Sequence, residues 1–220
     1  MPDYFPAFLD LRSRRCLVVG GGAIAERKVR ALLDCGADVV VVSPRVTAGL
    51  DVLIEDGAIH HRRREFLRSD GRGCALVIAA TGVTTVDTAV AAAARRARAL
   101  INVVDRPAQC DFIFPSVLRR GELQVAVSTG GRSPALAREI RRRLERTLGP
   151  EYAELVERVG AARTRARATA KTRVARLEAG ERAAALGLAR HPDRRPEMLS
   201  LPSPRREGLQ TQIVQTARTY

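Results

Sequence analysis

The sequence predicts an α/β protein: a doubly wound parallel sheet of the Rossmann type, then a small α+β unit, then a C-terminal helical segment. Three observations carry this. The apolar run Cys16–Val19 is followed at once by Gly20-Gly21-Gly22 and by a helical pattern with Ala25, Val29, Leu32 and Cys35 on one face. Further short apolar runs at 37–42, 75–79 and 100–104 alternate with helix-compatible stretches, the signature of βαβ units. Beyond residue 111 the pattern changes to two strand-like runs and one amphipathic helix.

The lead-in Tyr4–Leu11 is apolar and is expected to pack against the sheet edge. Cys16–Val19 forms the first strand, and Gly36 stops the helix that follows the glycines. Ala37–Val42 has no polar residue after Asp38, as a strand buried on both faces requires. Ser43-Pro44-Arg45 ends it. Val46–Asp56 is a weak helix closed by Gly57, and Ile59–Arg63 is a third strand carrying His60 and His61. With no third ligand in sight, that histidine pair is read as sheet edge rather than metal site. Ala75–Ala79 is the next strand. Thr84 and Thr85 are placed to cap the Ala-rich helix 86–98, and Leu100–Val104 precedes the terminating Asp105-Arg106-Pro107. Phe112–Leu118 and Leu123–Ser128 read as strands joined by a charged turn. Ser133 is the natural N-cap, and Pro134 the first residue, of a helix running to about Leu148. A hairpin plus one helix is too thin to fold alone, so a homodimer built on this unit is expected. Tyr152–Leu188 is helix-compatible. Prolines at 192, 196, 202 and 204 with few apolar residues predict a disordered tail. The expected division is 1–111, a dinucleotide-binding domain; 112–150, a dimerisation unit; 151–189, helical; and 190–220, tail.

Composition narrows the function classes. No run approaches the roughly 18 apolar residues of a membrane span, and the N-terminus lacks a basic-then-apolar leader pattern, so a soluble, cytoplasmic protein without a membrane partner is expected. Cys16, Cys35, Cys74 and Cys110 form no C-x-x-C pair and read as reduced thiols, not metal ligands. The net charge of +14 is spread along the chain: 24 Lys/Arg against 16 Asp/Glu in residues 1–150, and 14 against 8 in 151–220. Such basicity suits an acidic ligand. Nucleic acid is the competing partner, but no helix-turn-helix pattern, stacking aromatics or zinc spacing accompanies the charge.

Gly20, Gly22 and Ala25 fill the G-x-G-x-x-A fingerprint. In order they permit a tight turn, let backbone approach a pyrophosphate, and allow close helix–strand packing. Helix-start N–H groups would face the phosphates. The acidic residue that usually meets the ribose at the end of the second strand is missing. Ser43 can hydrogen-bond a ribose, and Arg45 can meet a 2′-phosphate or stand as a solvated turn residue, so NAD versus NADP stays open. Ligands of open α/β sheets sit beyond the carboxyl ends of the strands, where Gly20–Gly22, Ser43–Arg45, Thr81–Gly82 and Asn102–Asp105 fall. Asp105 is the only carboxylate among them; as a sequence feature it is either a reactive group or a turn former.

Five motifs occur together: Val-Val-Gly-Gly-Gly-x-x-Ala-x-Arg-Lys (18–28), Ala-Ala-Thr (79–81), Asn-Val-Val-Asp (102–105), Phe-Ile-Phe-Pro-Ser (112–116) and Val-Ser-Thr-Gly-Gly-x-Ser-Pro-Ala-Leu-Ala (127–137). In order and spacing the set resembles the precorrin-2 dehydrogenase/sirohydrochlorin ferrochelatase module of the siroheme synthases, over residues 4 to about 150. The resemblance implies NAD-dependent oxidation of precorrin-2 to sirohydrochlorin and, in many members, Fe²⁺ insertion to give siroheme. It also implies an intertwined homodimer with 112–150 as the dimerisation element. It makes Asp105 the essential acid/base, and it places NAD contacts at Gly22, Ala23, Ile24, Pro44, Arg45, Thr81 and Val104. Ser128 and Thr129 correspond to the family's substrate segment, where some members carry Ser at the position of Thr129. Because the tetrapyrroles are polycarboxylates, Arg106, Arg119, Arg120 and Arg132 become candidates for pairing with them. Fused members continue into a methyltransferase domain, which a chain ending at 220 is expected to lack.

Overall fold

The computed structural model describes residues 4–169 and 172–189; the expected tail, 190–220, lies outside them. Two compact units emerge. The first comprises the chain through Phe114 together with Thr129–Ser133, and the second comprises Pro115–Ser128 and the chain from Pro134.

The first unit is built on strands β1 (Arg15–Val19), β2 (Asp38–Val42), β3 (His60–Arg62), β4 (Leu76–Ala79) and β5 (Leu100–Val103). They are parallel in the order β3-β2-β1-β4-β5. Alternation along each strand divides the core into two layers. Leu17, Val19, Val77, Ala79, Ile101 and Val103 meet Val90, Ala91 and Ala94 of helix α3 (Thr84–Arg96). Cys16, Val18, Val39, Val41 and Ile78 meet Ala25, Val29 and Leu32 of α1 (Ala23–Leu33) and Leu50 of α2 (Ala48–Glu55). Helices on both faces explain why these strands read as continuous apolar runs. The sheet stops where Gly20, Ser43, Ala80 and Val104 leave it, because register aligns Val19 with Val42 and Ala79, and Ala79 with Val103. One edge thus collects four loops.

The basic run after β3 is organised by a carboxylate that sequence reading passed over. Asp70 is buried and accepts from Arg62 Nη1 (2.6 Å), Arg64 Nη1 and Nη2 (2.8 and 2.6 Å) and the Leu67 N–H (2.8 Å). Burial pushes its pKa up, but the Arg64, Leu67 and Arg62 bonds outweigh that and hold it at about 2. A carboxylate depressed in the fold contributes stability above its unfolded pKa near 3.9, and that contribution is lost as pH falls toward 2. Asp70→Asn is expected to cost about 2–3 kcal/mol at pH 7 and to lose much of that difference from wild type below pH 3, read by thermal melts across pH.

The second unit contains the antiparallel hairpin β6 (Ser116–Arg120) and β7 (Leu123–Val127), α4 (Pro134–Thr147), α5 (Tyr152–Thr169) and α6 (Arg173–Ala189). α4 packs on both strands and α5 against α6. Leu118, Ala137 and Leu155 are its buried centre. Arg120 donates to Leu148 O and Glu145 O, satisfying carbonyls at the end of α4.

Several expectations needed correction. Phe5 and Phe8 are 89% and 70% exposed, so the lead-in does not cover the sheet edge; only Leu11 packs on the core. β6 starts at Ser116 rather than Phe112, because Phe112 and Phe114 pack on the first unit's core and Pro115 has no N–H for a ladder. Neither Thr84 nor Thr85 caps α3: the N-cap is Val83, and Thr84 Oγ1 accepts from Arg106 instead. The 152–188 helix is two helices. Pro134 does open α4, as its fixed φ favours.

Candidate active site

Each strand end contributes one part of the site. Gly20 leaves β1 at φ +121°, where a Cβ would lie 2.4 Å from Ala80 O, and its N–H donates to Val42 O (3.0 Å). Gly21 is tighter still. A Cβ there would sit 2.0 Å from Arg45 O and 2.8 Å from Ser43 Oγ, while Gly21 O accepts from Thr47 N (3.0 Å). The β2–α2 turn therefore closes directly on the glycine loop. Gly21→Ala is expected to destabilise the chain by roughly 2–3 kcal/mol, because backbone rather than a flexible side chain must move, measured as a loss in thermal midpoint.

Gly22 differs. It is the N-cap of α1 in extended conformation, with no side chain capping the helix start, and an added Cβ would meet nothing within 4 Å. Ala23 and Ile24 follow it, both exposed. An uncapped helix start beside an open approach is what a pyrophosphate needs: helix N–H groups for the phosphate oxygens and no side chain in the way. These residues fit a bound dinucleotide.

The neighbouring loops are fixed by groups that motif reading missed. Ser43 is buried and donates to Arg45 O (2.6 Å), so its hydroxyl proton serves the turn, while Pro44 and Arg45 are exposed. Glu26 accepts from Thr47 Oγ1 (2.6 Å) and Arg30 Nη2 (2.7 Å), tying α1 to the start of α2. The Thr47 and Arg30 bonds lower the Glu26 pKa. After β4, Thr81 donates through N (3.2 Å) and Oγ1 (2.7 Å) to Asp87, buried in α3, and Thr81 Oγ1 accepts from Val83 N (3.0 Å). Asp87 thereby orients Thr81 toward the same edge. Only a period argument along α3 could have marked it, since it lies one turn before the buried Val90 and Ala91.

Beyond β5, Val104 donates its N–H to Ala79 O (3.0 Å), and Asp105 takes φ +59°. That left-handed turn leaves the Asp105 side chain exposed. Asp tolerates this region better than most residues, which is one reason it can stand there. The chain then folds back onto β5: Asn102 Nδ2 donates to Phe112 O (2.9 Å), Asp111 N to Ile101 O (2.8 Å), and Val103 N lies 3.1 Å from Cys110 Sγ. Arg106 bonds Thr84 Oγ1 at the α3 start.

The remaining substrate candidates lie elsewhere along the chain. Thr129 Oγ1 accepts from Ser133 N (3.0 Å) and Thr129 O from Arg132 N (3.1 Å), closing a turn with Gly130 and Gly131 at positive φ. Arg132 and Ser128 are exposed. Arg120 is committed to the end of α4, as described above. Among the described residues no group of three or more His, Cys, Asp or Glu could hold a metal ion, and no helix is long and apolar enough to cross a membrane.

A 3-2-1-4-5 parallel sheet with a glycine loop, an open helix start and loops gathered at the carboxyl edge defines a dinucleotide-binding protein of the Rossmann class. Comparison with known families agrees. Residues 7–116 match a family model described as putative NAD(P)-binding, and residues 120–147 match one described as sirohaem biosynthesis protein central. The chain belongs to the family of putative NAD(P)-binding domains whose model it matches over residues 7–116, followed by the sirohaem-biosynthesis central segment matched at 120–147. Among its relatives, the siroheme synthase of Methylococcus capsulatus is 46% identical over 165 residues, 75% of this chain and 35% of the relative. That of Nitrosomonas europaea is 47% identical over 156 residues, 70% of this chain and 33% of the relative. The chain thus spans about a third of the curated relatives it matches. A solved structure of SirC, precorrin-2 dehydrogenase, superposes with a TM-score of 0.69 at 23% identity, covering 85% of this chain and 98% of that one. At that identity the likeness is one of fold.

Proposed function

We propose that this chain oxidises precorrin-2 to sirohydrochlorin with NAD⁺, Asp105 acting as the base. The observation that carries the reading is Asp105 itself: an exposed carboxylate directly beyond the end of β5, held in a left-handed turn next to Val104. The bound nicotinamide would supply the hydride acceptor. Removing two hydrogens from the macrocycle then leaves one proton for the protein to accept, and a fixed carboxylate at the reacting edge is suited to that. Gly22, Ala23 and Ile24 would receive the pyrophosphate, Ser43, Pro44 and Arg45 would flank the ribose, and Thr81 and Val104 would line the nicotinamide end. Arg106 and Arg132, with Ser128 and Thr129, would meet the substrate's carboxylates.

Two further features belong to this reading. Pyrrole N–H groups must also lose protons when Fe²⁺ enters sirohydrochlorin, so the same carboxylate can serve insertion, with Fe²⁺ as substrate. Leu136 and Ile140 on α4 are 52% and 37% exposed, and we read them as part of a homodimer face. Sedimentation should give twice the chain mass.

The test is anaerobic incubation with precorrin-2 and NAD⁺, followed by absorbance, and then addition of Fe²⁺. Sirohydrochlorin formation dependent on NAD⁺ is expected, with siroheme forming faster than without protein. Accumulation of sirohydrochlorin with uncatalysed iron entry limits the chain to dehydrogenation. No NAD⁺-dependent change overturns the reading.

A further inference from the structure

The turn after β2 decides which dinucleotide this edge can seat. In a sheet of this class the adenosine ribose lies beyond the end of the second strand, about twenty residues after the glycine loop. A carboxylate there accepts from the ribose 2′-hydroxyl and repels a 2′-phosphate, whereas an arginine nearby receives that phosphate. Here β2 ends at Val42, and Ser43, Pro44 and Arg45 follow with no carboxylate among them.

Ser43 is a poor substitute for the missing acid. It is 7% exposed, and its hydroxyl proton serves Arg45 O (2.6 Å). From β3, His61 Nε2 lies 3.0 Å from Ser43 O; a carbonyl only accepts, so the imidazole donates and ties the turn to the third strand. Arg45 is held at its backbone and open at its side chain. Its carbonyl stands 2.0 Å from where a Gly21 Cβ would be, and Thr47 N donates to Gly21 O (3.0 Å), so the turn is fixed on both sides of it. Arg45 itself is exposed. Acids around the turn are engaged by other cations: Glu26 by Arg30, Asp51 by Arg63, and Asp70 by Arg62 and Arg64. None of these pairs includes Arg45, whose fork of donors is left for a ligand.

We propose that Arg45 receives a 2′-phosphate, so that the site accepts NADP⁺ alongside NAD⁺ and Arg45 sets the preference between them. This rests on reading the carboxyl edge as a dinucleotide seat, and not on the identity of the base. An arginine–phosphate contact is charge-assisted and can be bidentate, which a lysine does not reproduce. The net charge of +14 favours the more anionic cofactor as well.

The test is calorimetric titration of the full chain with NAD⁺ and with NADP⁺, no tetrapyrrole being present. The Kd for NADP⁺ is expected to lie within about tenfold of that for NAD⁺, or below it. Arg45→Ala is expected to shift the ratio of the two constants toward NAD⁺ by roughly tenfold or more, the worth of one charge-assisted contact. Arg45→Asp, which places a carboxylate at this turn, is expected to shift it by about a hundredfold. Arg45→Lys should shift it less than Arg45→Ala, since the charge stays and only the fork is lost. A thermal melt of each variant shows whether the turn still folds. NADP⁺ bound more than about tenfold more weakly than NAD⁺ by the wild-type chain overturns the proposal. A ratio unmoved by both Arg45→Ala and Arg45→Asp overturns it too, and leaves Arg45 a turn residue. If neither dinucleotide binds, the cofactor reading itself fails and the proposal with it; NAD⁺ binding alone removes only the proposal.

Discussion

Asp105→Asn is expected to lower turnover of precorrin-2 by roughly a thousandfold or more and to leave the Kd for NAD⁺ within a few-fold of wild type. The magnitude follows from what general-base catalysis contributes, about 10²–10⁴. The split follows from geometry. Asp105 sits beyond β5, one strand further from the glycine loop than β4, and no hydrogen bond links it to Gly20–Gly22. Asn is the informative replacement because Asp105 holds φ +59°, a region that Asn tolerates and Ala enters only at a cost of about 1 kcal/mol. With Asn, a lost rate reports the missing carboxylate and not a collapsed turn. Stopped-flow or anaerobic absorbance gives kcat, and calorimetry gives the NAD⁺ affinity. Retained turnover would remove Asp105 from the chemistry and turn attention to Glu26 or Asp87, the next carboxylates along this edge, both already bound to neighbours.

The parts of this molecule that were legible in the sequence are those that depend on local pattern. Continuous apolar runs gave the parallel strands, because burial on both faces leaves no polar positions to interrupt them. The glycine fingerprint gave the first turn, because Gly20 and Gly22 act through their own backbone. What stayed hidden depends on contacts made across the chain. Gly21 looks like the spare glycine of three, yet it is the most crowded, since the carbonyl that fills its Cβ space belongs to Arg45. Asp70 and Asp87 belong to no motif; burial and the partners Arg62, Arg64 and Thr81 give them their roles. Phe112 and Phe114 look like strand residues by alternation, but the fold-back stitched by Asn102 and Asp111 commits them to the first unit's core. Lys28 was visible only as part of a motif, and the Phe114 ring on which its ammonium sits lies far along the chain.

Gly22→Val is expected to weaken NAD⁺ binding by roughly a hundredfold, the equivalent of about 2.7 kcal/mol, in a chain that still folds. The contrast with Gly21 makes this sharp. Gly22 is extended at φ −83°, ψ −179°, a conformation valine adopts readily, and its Cβ would meet no protein atom within 4 Å. The protein-side penalty is the poorer N-cap, about 1 kcal/mol, or a few degrees of thermal midpoint. The space the side chain fills is the approach to the α1 N–H groups. Gly21→Ala therefore loses stability first and binding as a consequence, whereas Gly22→Val loses binding with stability nearly intact. Calorimetric titration with NAD⁺ beside a thermal melt separates the two. If Gly22→Val binds NAD⁺ as tightly as wild type, the pyrophosphate does not approach this helix start, and the open space at Gly22 serves some other ligand. If it binds weakly and melts normally, the opening is the cofactor's, and the crowding at Gly21 is what keeps the loop shaped to receive it.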